Sequence, residues 1–316
     1  MSKNDQIDFY NPSTLKSYNL DQSMRYQLNM LDGLDVFTRK HCENVANLTC
    51  RICEYLHCKQ SFTIYATICA YLHDIGKMFI PSEILQKPGK LTDEEYEIMK
   101  THTTIGYNMC MKDLKLRPYS AGPKFHHEAL NGSGYPEGLT KKDIPYVGQI
   151  IRVADEYDAI VSKRQYKTHI NISDTLKILI QNAQPDVSYI KSVALDHLSG
   201  DYKLGKINPK VLKVLFKVVL DDINYEIACV QEYVSYLKEQ IKRLEQMLKY
   251  YEKMQNATKE KEQNYYLEGI KALFDKGETL GNFTQVYEEY KIALENRQKI
   301  IDSLYSEIKI IKKLRI

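Results

Sequence analysis

The chain has no tryptophan, only 14 glycines and 9 prolines in 316 residues, and a formal net charge of just +3. So little glycine and proline excludes a collagen-like or low-complexity chain, and 43% hydrophobic with 27% charged residues excludes dominant disorder. Forty-four Lys and Arg against 41 Asp and Glu leave no charge excess for nonspecific binding to a nucleic-acid polymer or an anionic membrane, so any anion-binding surface must be local. Long apolar runs are also missing. The stretch from Tyr65 to Leu72 falls far short of the ~20 residues a membrane helix needs, so no membrane span is expected. Met1 to Asp8 lacks the cationic and then apolar order of a signal peptide. The seven cysteines, at positions 42, 50, 53, 58, 69, 110 and 229, form neither a pair of CxxC motifs nor a disulfide-scaffold density. They read as reduced thiols in a cytoplasmic chain.

What the sequence does have is helical periodicity in three regions. Residues 1–20 are polar, with Asn11-Pro12-Ser13-Thr14 as turn chemistry, and read as a mobile arm. Residues 21–215 read as an all-α bundle: Val45, Leu48, Ile52 and Leu56 recur at three- and four-residue spacing, as do Ile64, Ile68 and Leu72. Thr92 and Glu95 form a capping box that opens a helix through Tyr96, Met99 and Ile105, and a Gly-rich loop is expected near 131–148.

From 216 to 316 the pattern becomes a heptad seam, Leu220, Ile223, Ile227, Val230, Val234, Leu237, Ile241, Leu244, Leu248 and Tyr251, which predicts a coiled-coil helix. A weaker seam pairs Tyr287, Leu294, Ile301 and Ile308 with Tyr290, Leu304 and Ile311, interrupted by Arg297. The two seams suit either an antiparallel hairpin or a homodimer through the C-terminal helices; the partner expected here is a second copy.

Histidine carries the chemistry. Six of the eight lie between His41 and His127, and His41, His73-Asp74, His102 and His126-His127 stand beside metal-type companions, whereas His57, His169 and His197 read as packed or surface residues. At His73-Asp74, followed by Ile75-Gly76-Lys77, an imidazole, a carboxylate and a cation emerge within one turn. A carboxylate can bridge two cations, and imidazoles complete coordination spheres for iron, manganese or zinc.

The string His73-Asp74-Ile75-Gly76-Lys77, then Ile80-Pro81, Lys87-Pro88-Gly89-Lys90-Leu91-Thr92 and His102, resembles the HD-GYP subgroup of the HD phosphohydrolases. His126-His127-Glu128 with Gly134-Tyr135-Pro136, and later Arg152-Val153-Ala154-Asp155 with Tyr157-Asp158-Ala159 and Arg164, continue the resemblance over roughly residues 21 to 185.

The resemblance implies an all-helical HD domain whose two divalent transition-metal ions, iron or manganese, hydrolyse a cyclic dinucleotide, above all cyclic di-GMP, through a metal-bridged hydroxide. By position it implies His41, His73, Asp74 and Asp155 around one ion, and Asp74, His102, His126 and His127 around the other. Asp74 and Lys77 would be the catalytic pair, with Lys77 on the scissile phosphate. Arg164 and Lys167 would also bind substrate, and Tyr135 would either stack on a base of the substrate or pack the loop. Asp158, three residues after Asp155 on the same helical face, reads either as a group that orients a ligand histidine or as a surface carboxylate.

Two departures stand out. Phe37 occupies the place where some members carry a glutamate for a third metal, so two ions are expected. Asn131 replaces an aspartate in the loop, which either costs the site a charge or only preserves the loop's shape. Alternatives to the cyclic-dinucleotide phosphodiesterase are an HD phosphohydrolase of another nucleotide, and a noncatalytic cyclic-dinucleotide receptor signalling through its coiled coil.

Overall fold

A computed structural model describes residues 29–162, 172–192 and 200–316, and among them there is no β-strand, only an isolated bridge between Asn131 and Thr140. The fold is all-α. The proposed arm at 1–20 lies outside the described residues. The chain divides into two compact units, one running to Val219 and taking in Lys313–Ile316, the other Leu220–Lys312. No helix of the described residues is long and apolar enough to cross a membrane.

In the first unit, Asp35 caps helix α1 (Val36–Tyr55), its carboxylate accepting from the amides of Phe37 and Thr38. The predicted stripe is inside: Val45, Leu48 and Ile52 are buried. Helix α2 (Gln60–Leu72) packs on α1 and is apolar nearly all round, with Ala66, Ile68, Cys69, Ala70 and Leu72 buried. Such a helix has no solvent face to offer, so it forms the centre of the bundle. It ends at His73, and a 3-10 turn, Ile75–Phe79, follows Asp74.

After the short helix α3 (Ser82–Leu85), helix α4 (Asp93–Lys112) opens on the predicted capping box. Thr92 Oγ1 accepts from Glu95 N, and Glu95 Oε2 accepts from Thr92 N. A Cβ on Gly76 would stand 2.0 Å from the carbonyl oxygen of His102. Only glycine lets α4 come this close to the turn after Asp74, and this approach brings His102 to the carboxylate. Behind it, Ile68, Leu72, Ile75, Cys110 and Leu116 form one buried cluster.

Helix α5 (Ala121–Phe125) leads directly to His126 and His127, and helix α6 (Tyr146–Ser162) carries Asp155 and Asp158. Helices α7 (Ile172–Ala183) and α8 (Val187–Ser192) complete the series. Helix α9 (Pro209–Asn256) contains the boundary between the units.

In the second unit the predicted seam faces inward: Ile223, Ile227, Val234, Leu237 and Leu244 are buried. The cover comes from the same chain. Leu244 and Met247 of α9 join Ile270 of α10 (Glu260–Lys271) and Phe283 of α11 (Phe283–Ile311) in one apolar cluster. Tyr251 meets Phe283 with ring centroids 5.6 Å apart, the Arg297 guanidinium lies 5.6 Å from the Tyr233 ring, and Gln231 donates to the Tyr305 hydroxyl at 3.2 Å. Residue numbers fall along α9 as they rise along α11, so the pair is antiparallel. Of the two arrangements left open by the seams, the structure shows the hairpin. Arg243 ties it with a two-pronged contact to Glu278, at 2.5 and 2.6 Å. All seven cysteines are free thiols.

Candidate metal centre

Five elements of the first unit converge on Asp74. Its two carboxylate oxygens face different neighbours: Oδ2 lies 3.2 Å from His73 Nε2 and 3.6 Å from His41 Nε2, and Oδ1 lies 3.3 Å from His102 Nε2 and 3.8 Å from His126 Nε2. Asp155 touches both sides as well, with Oδ1 3.0 Å from His41 Nε2 and Oδ2 3.9 Å from His127 Nδ1. The donor atoms form two groups of metal-binding size. One is Asp74, His102, His126 and His127, the other His41, His73 and Asp155, and within each the atoms lie within 4.8 Å of one another. Cys42, His73 and Asp74 form a third such combination, which sequence reasoning did not raise.

The hydrogen bonds of the imidazoles show what the cluster is built to hold. Nδ1 of His73 faces the Ala70 carbonyl at 2.7 Å, Nδ1 of His102 that of Met99 at 2.6 Å, Nδ1 of His126 those of Gly122 and Pro123 at 3.0 Å, and Nδ1 of His41 the Asp158 carboxylate at 2.7 Å. Carbonyls and carboxylates only accept, so in all four rings Nδ1 carries the proton and Nε2 turns toward the centre.

Burial pushes His102 below the ordinary imidazole value and, aided by neighbouring imidazoles, His126 and His127 well below it. The neutral rings of His102 and His126 then point Nε2 lone pairs at each other across 3.2 Å. His73 Nε2 and Asp74 Oδ1 are buried and make no hydrogen bond. Lone pairs facing one another and unpaired buried acceptors are costly unless a cation sits among them. Nitrogen and carboxylate donors of this kind fit a divalent transition metal.

The carboxylates are charged. Burial works to raise Asp74, but His73 and Lys77 outweigh it and hold the carboxyl well below its usual range. Asp155 is held down against burial by His41, His127 and His73. Lys77 donates to Asp74 Oδ2 at 2.6 Å, so a cation of the chain already lies at the edge of the cluster.

The loop after His127 forms one wall. Tyr135 lies against the His127 ring, centroids 4.6 Å apart and planes 25° apart, and is followed by a cis bond to Pro136. A Cβ on Gly134 would meet the Ala129 amide nitrogen at 2.3 Å, so glycine is required for the loop to fold back on the histidine pair. Asn131 is buried, and its Oδ1 accepts from Ser133 N at 3.2 Å and Ser133 Oγ at 2.7 Å. These contacts hold the loop's shape, and the loss of the aspartate's charge is a separate matter. Phe37 is 69% exposed near the start of α1.

Arg164 and Lys167 lie outside the described residues, as do His169 and His197. The other predicted site residues, His41, His73, Asp74, Lys77, His102, His126, His127, Tyr135 and Asp155, gather in one place. Two residues quoted in the motifs were given no role from the sequence. Glu128, buried beside the histidine pair, accepts from the amides of Glu137 at 2.7 Å and Leu139 at 2.8 Å and so clamps the loop. Arg152 donates to the carbonyls of His127 at 2.6 Å and Glu128 at 3.2 Å, and to Glu156 at 2.7 Å. Only the spacing of Arg152 and Glu156 is a sequence signal, because main-chain partners leave none.

Comparison with known proteins finds relatives over this region of the chain. Residues 25–187 match the family model described as HD domain. A cyclic di-GMP phosphodiesterase of Thermotoga maritima is 47% identical over 145 residues, which are 44% of this chain and 39% of that protein. A cyclic di-GMP phosphodiesterase response regulator of Xanthomonas campestris is 44% identical over 97 residues, 30% of this chain and 25% of that one. A 3'3'-cGAMP-specific phosphodiesterase of Vibrio cholerae is 31% identical over 151 residues, 48% and 35% of the two chains. The matched region thus spans well under half the length of each relative. The matched family model covers more than half of the chain, and the residues that meet around Asp74 lie within the matched span: the chain belongs to the HD domain family.

Proposed function

We propose that the chain is a cytoplasmic, metal-dependent phosphodiesterase that opens a cyclic dinucleotide, with cyclic di-GMP as the first substrate. The observation that carries this reading is the division of Asp74: each carboxylate oxygen faces its own set of imidazoles, and those imidazoles have their Nδ1 protons committed elsewhere. A carboxylate so placed would serve two cations. His41, His73, Asp74 and Asp155 would hold one, and Asp74, His102, His126 and His127 the other, with iron or manganese suiting the donors. Bound there, two divalent cations would supply an activated water and would screen the charge of the phosphate.

The chain's own groups do the rest. Lys77, 20% exposed and beside Asp74, reaches a phosphate oxygen at the cluster, and its ammonium stabilises the negative charge that builds as the P–O bond breaks. Tyr135 walls the pocket against His127 and keeps that imidazole from turning. Arg164 and Lys167 remain part of the proposed substrate site on the strength of the motif alone. Glu128 and Arg152 fix the loop and the main chain under the histidine pair.

A homodimer through the C-terminal helices belongs to the same reading. The α9 seam is already covered by α11, so two copies would have to meet on faces the hairpin leaves outward, and sedimentation of the full chain tests this.

The similarity to a 3'3'-cGAMP-specific enzyme makes that dinucleotide the second substrate to test. Chromatography of products from cyclic di-GMP, 3'3'-cGAMP and mononucleotides, with anaerobically purified full chain, separates the readings. Linear dinucleotide from either cyclic substrate supports the proposal. Turnover of mononucleotides alone would replace it with a general nucleotide phosphohydrolase.

A further inference from the structure

A cation stands beyond the Tyr135 wall. Lys100 Nζ lies 5.7 Å from the centroid of the Tyr135 ring and 4.9 Å from that of Tyr96, and the two tyrosine rings meet edge to face at 6.3 Å. Tyr135 in turn stacks on His127, so an unbroken row of His127, Tyr135 and Lys100 leads from the metal-binding cluster to the surface. The rings hold the ammonium by their negative faces, without neutralising it. Its carboxylate partner, Glu97 at 2.6 Å, is on a side chain 69% exposed, where an ion pair contributes little and exchanges readily. Lys100 itself is 28% exposed, fixed in direction by the two rings yet open to a ligand.

Lys77 and Lys100 then place positive charge at two points. Lys77 sits at the cluster, on the Asp74 side, and Lys100 sits past Tyr135, on the His127 side. A cyclic dinucleotide also has two charges, one phosphodiester on each side of its macrocycle. When one occupies the cluster, the other must face a wall of the pocket.

Building on the phosphodiesterase reading, we propose that Lys100, oriented by Tyr96 and Tyr135, binds the phosphodiester that is not being cleaved. Lys100 is thereby a specificity residue, favouring ligands with two phosphodiesters over ligands with one.

The test compares two hydrolysis-resistant probes on the metal-loaded full chain by calorimetry: the phosphorothioate form of cyclic di-GMP, with two diesters, and that of the linear dinucleotide GpG, with one. For Lys100→Ala the dissociation constant of the cyclic probe should rise at least about tenfold, as for loss of one charge-assisted contact, while the linear probe shifts by less than about threefold. Lys100→Arg should restore most of the difference. A similar weakening of both probes would reveal a merely structural role, and no weakening of either would remove Lys100 from the site; both results overturn the inference. Failure of the enzyme reading looks different, as absence of turnover of unmodified cyclic di-GMP by the wild-type chain. Should the wild type bind neither probe, both readings fall.

Discussion

Asp158 Oδ2 lies 2.7 Å from Nδ1 of His41, and this contact decides which nitrogen of His41 turns toward Asp74 and Asp155. Asn44 holds the other oxygen of Asp158 at 3.1 Å, so the carboxylate is itself fixed in place. Removing such a backing group commonly costs about 10- to 100-fold in metal affinity. Asp158→Ala should therefore weaken binding at the His41 group by that amount while leaving the His102 group loaded. Asp158→Asn, which keeps an acceptor oxygen, should fall between. Chelator competition measures both, and unchanged affinity in the alanine variant would deny Asp158 this role.

Asp74 differs from every other donor in facing both groups. Asp74→Ala should lower the content of both ions together, read by elemental analysis of the purified variant. Loss of one ion alone would make Asp74 a terminal donor.

Metal binding should strengthen with pH. Burial would lower the pKa of His41, but its hydrogen bonds to Asp155 and Asp158 outweigh burial and carry it from 6.5 to about 10. In protein stripped of metal, His41 is therefore protonated at neutral pH, and an incoming cation must displace that proton. Affinity should rise by up to about tenfold per pH unit until the pH nears that of the folded group. The same shift contributes stability to the metal-stripped fold that is fully present below pH 6.5 and lost as pH climbs through about 10. Chelator competition at several pH values gives the slope; a flat or falling profile contradicts the assignment.

Glu128 tests the loop. Glu128→Ala leaves the amides of Glu137 and Leu139 without their charged acceptor, at roughly 1.5 to 3 kcal/mol for each hydrogen bond. Thermal unfolding should show the loss. Turnover should fall while metal content persists, because the variant frees Tyr135 from its place over His127 and removes no metal donor. Glu128→Gln should recover part of it.

How much of this was legible in the sequence depends on how local each signal is. The α1 stripe of Val45, Leu48 and Ile52 and the Thr92–Glu95 capping box are written within a turn or two of helix, and both are found where expected. The meeting of His41 with Asp155, 114 positions apart, has no local signature and was reached only through the family resemblance. The role of Glu128, a residue within the quoted motif, was missed for a different reason: its partners are backbone amides, which every residue but proline offers alike.

The tail shows a third case. A heptad seam looks the same whether its partner is the same chain or another one. What closes the hairpin is the turn at 272–282, where Gly277 takes a φ of +86° and Arg243 reaches Glu278.

The measurement that bears most directly on the whole account is made on one anaerobically purified sample of the full chain, grown with iron and manganese. Its metals are counted by elemental analysis, and its products from cyclic di-GMP are separated by chromatography. The account predicts close to two transition-metal ions per chain, a linear dinucleotide product, and loss of that product when the ions are chelated. Two bound ions with tight cyclic di-GMP binding and no product would make the protein a receptor instead, and a count near three or zero would contradict the paired centre around Asp74.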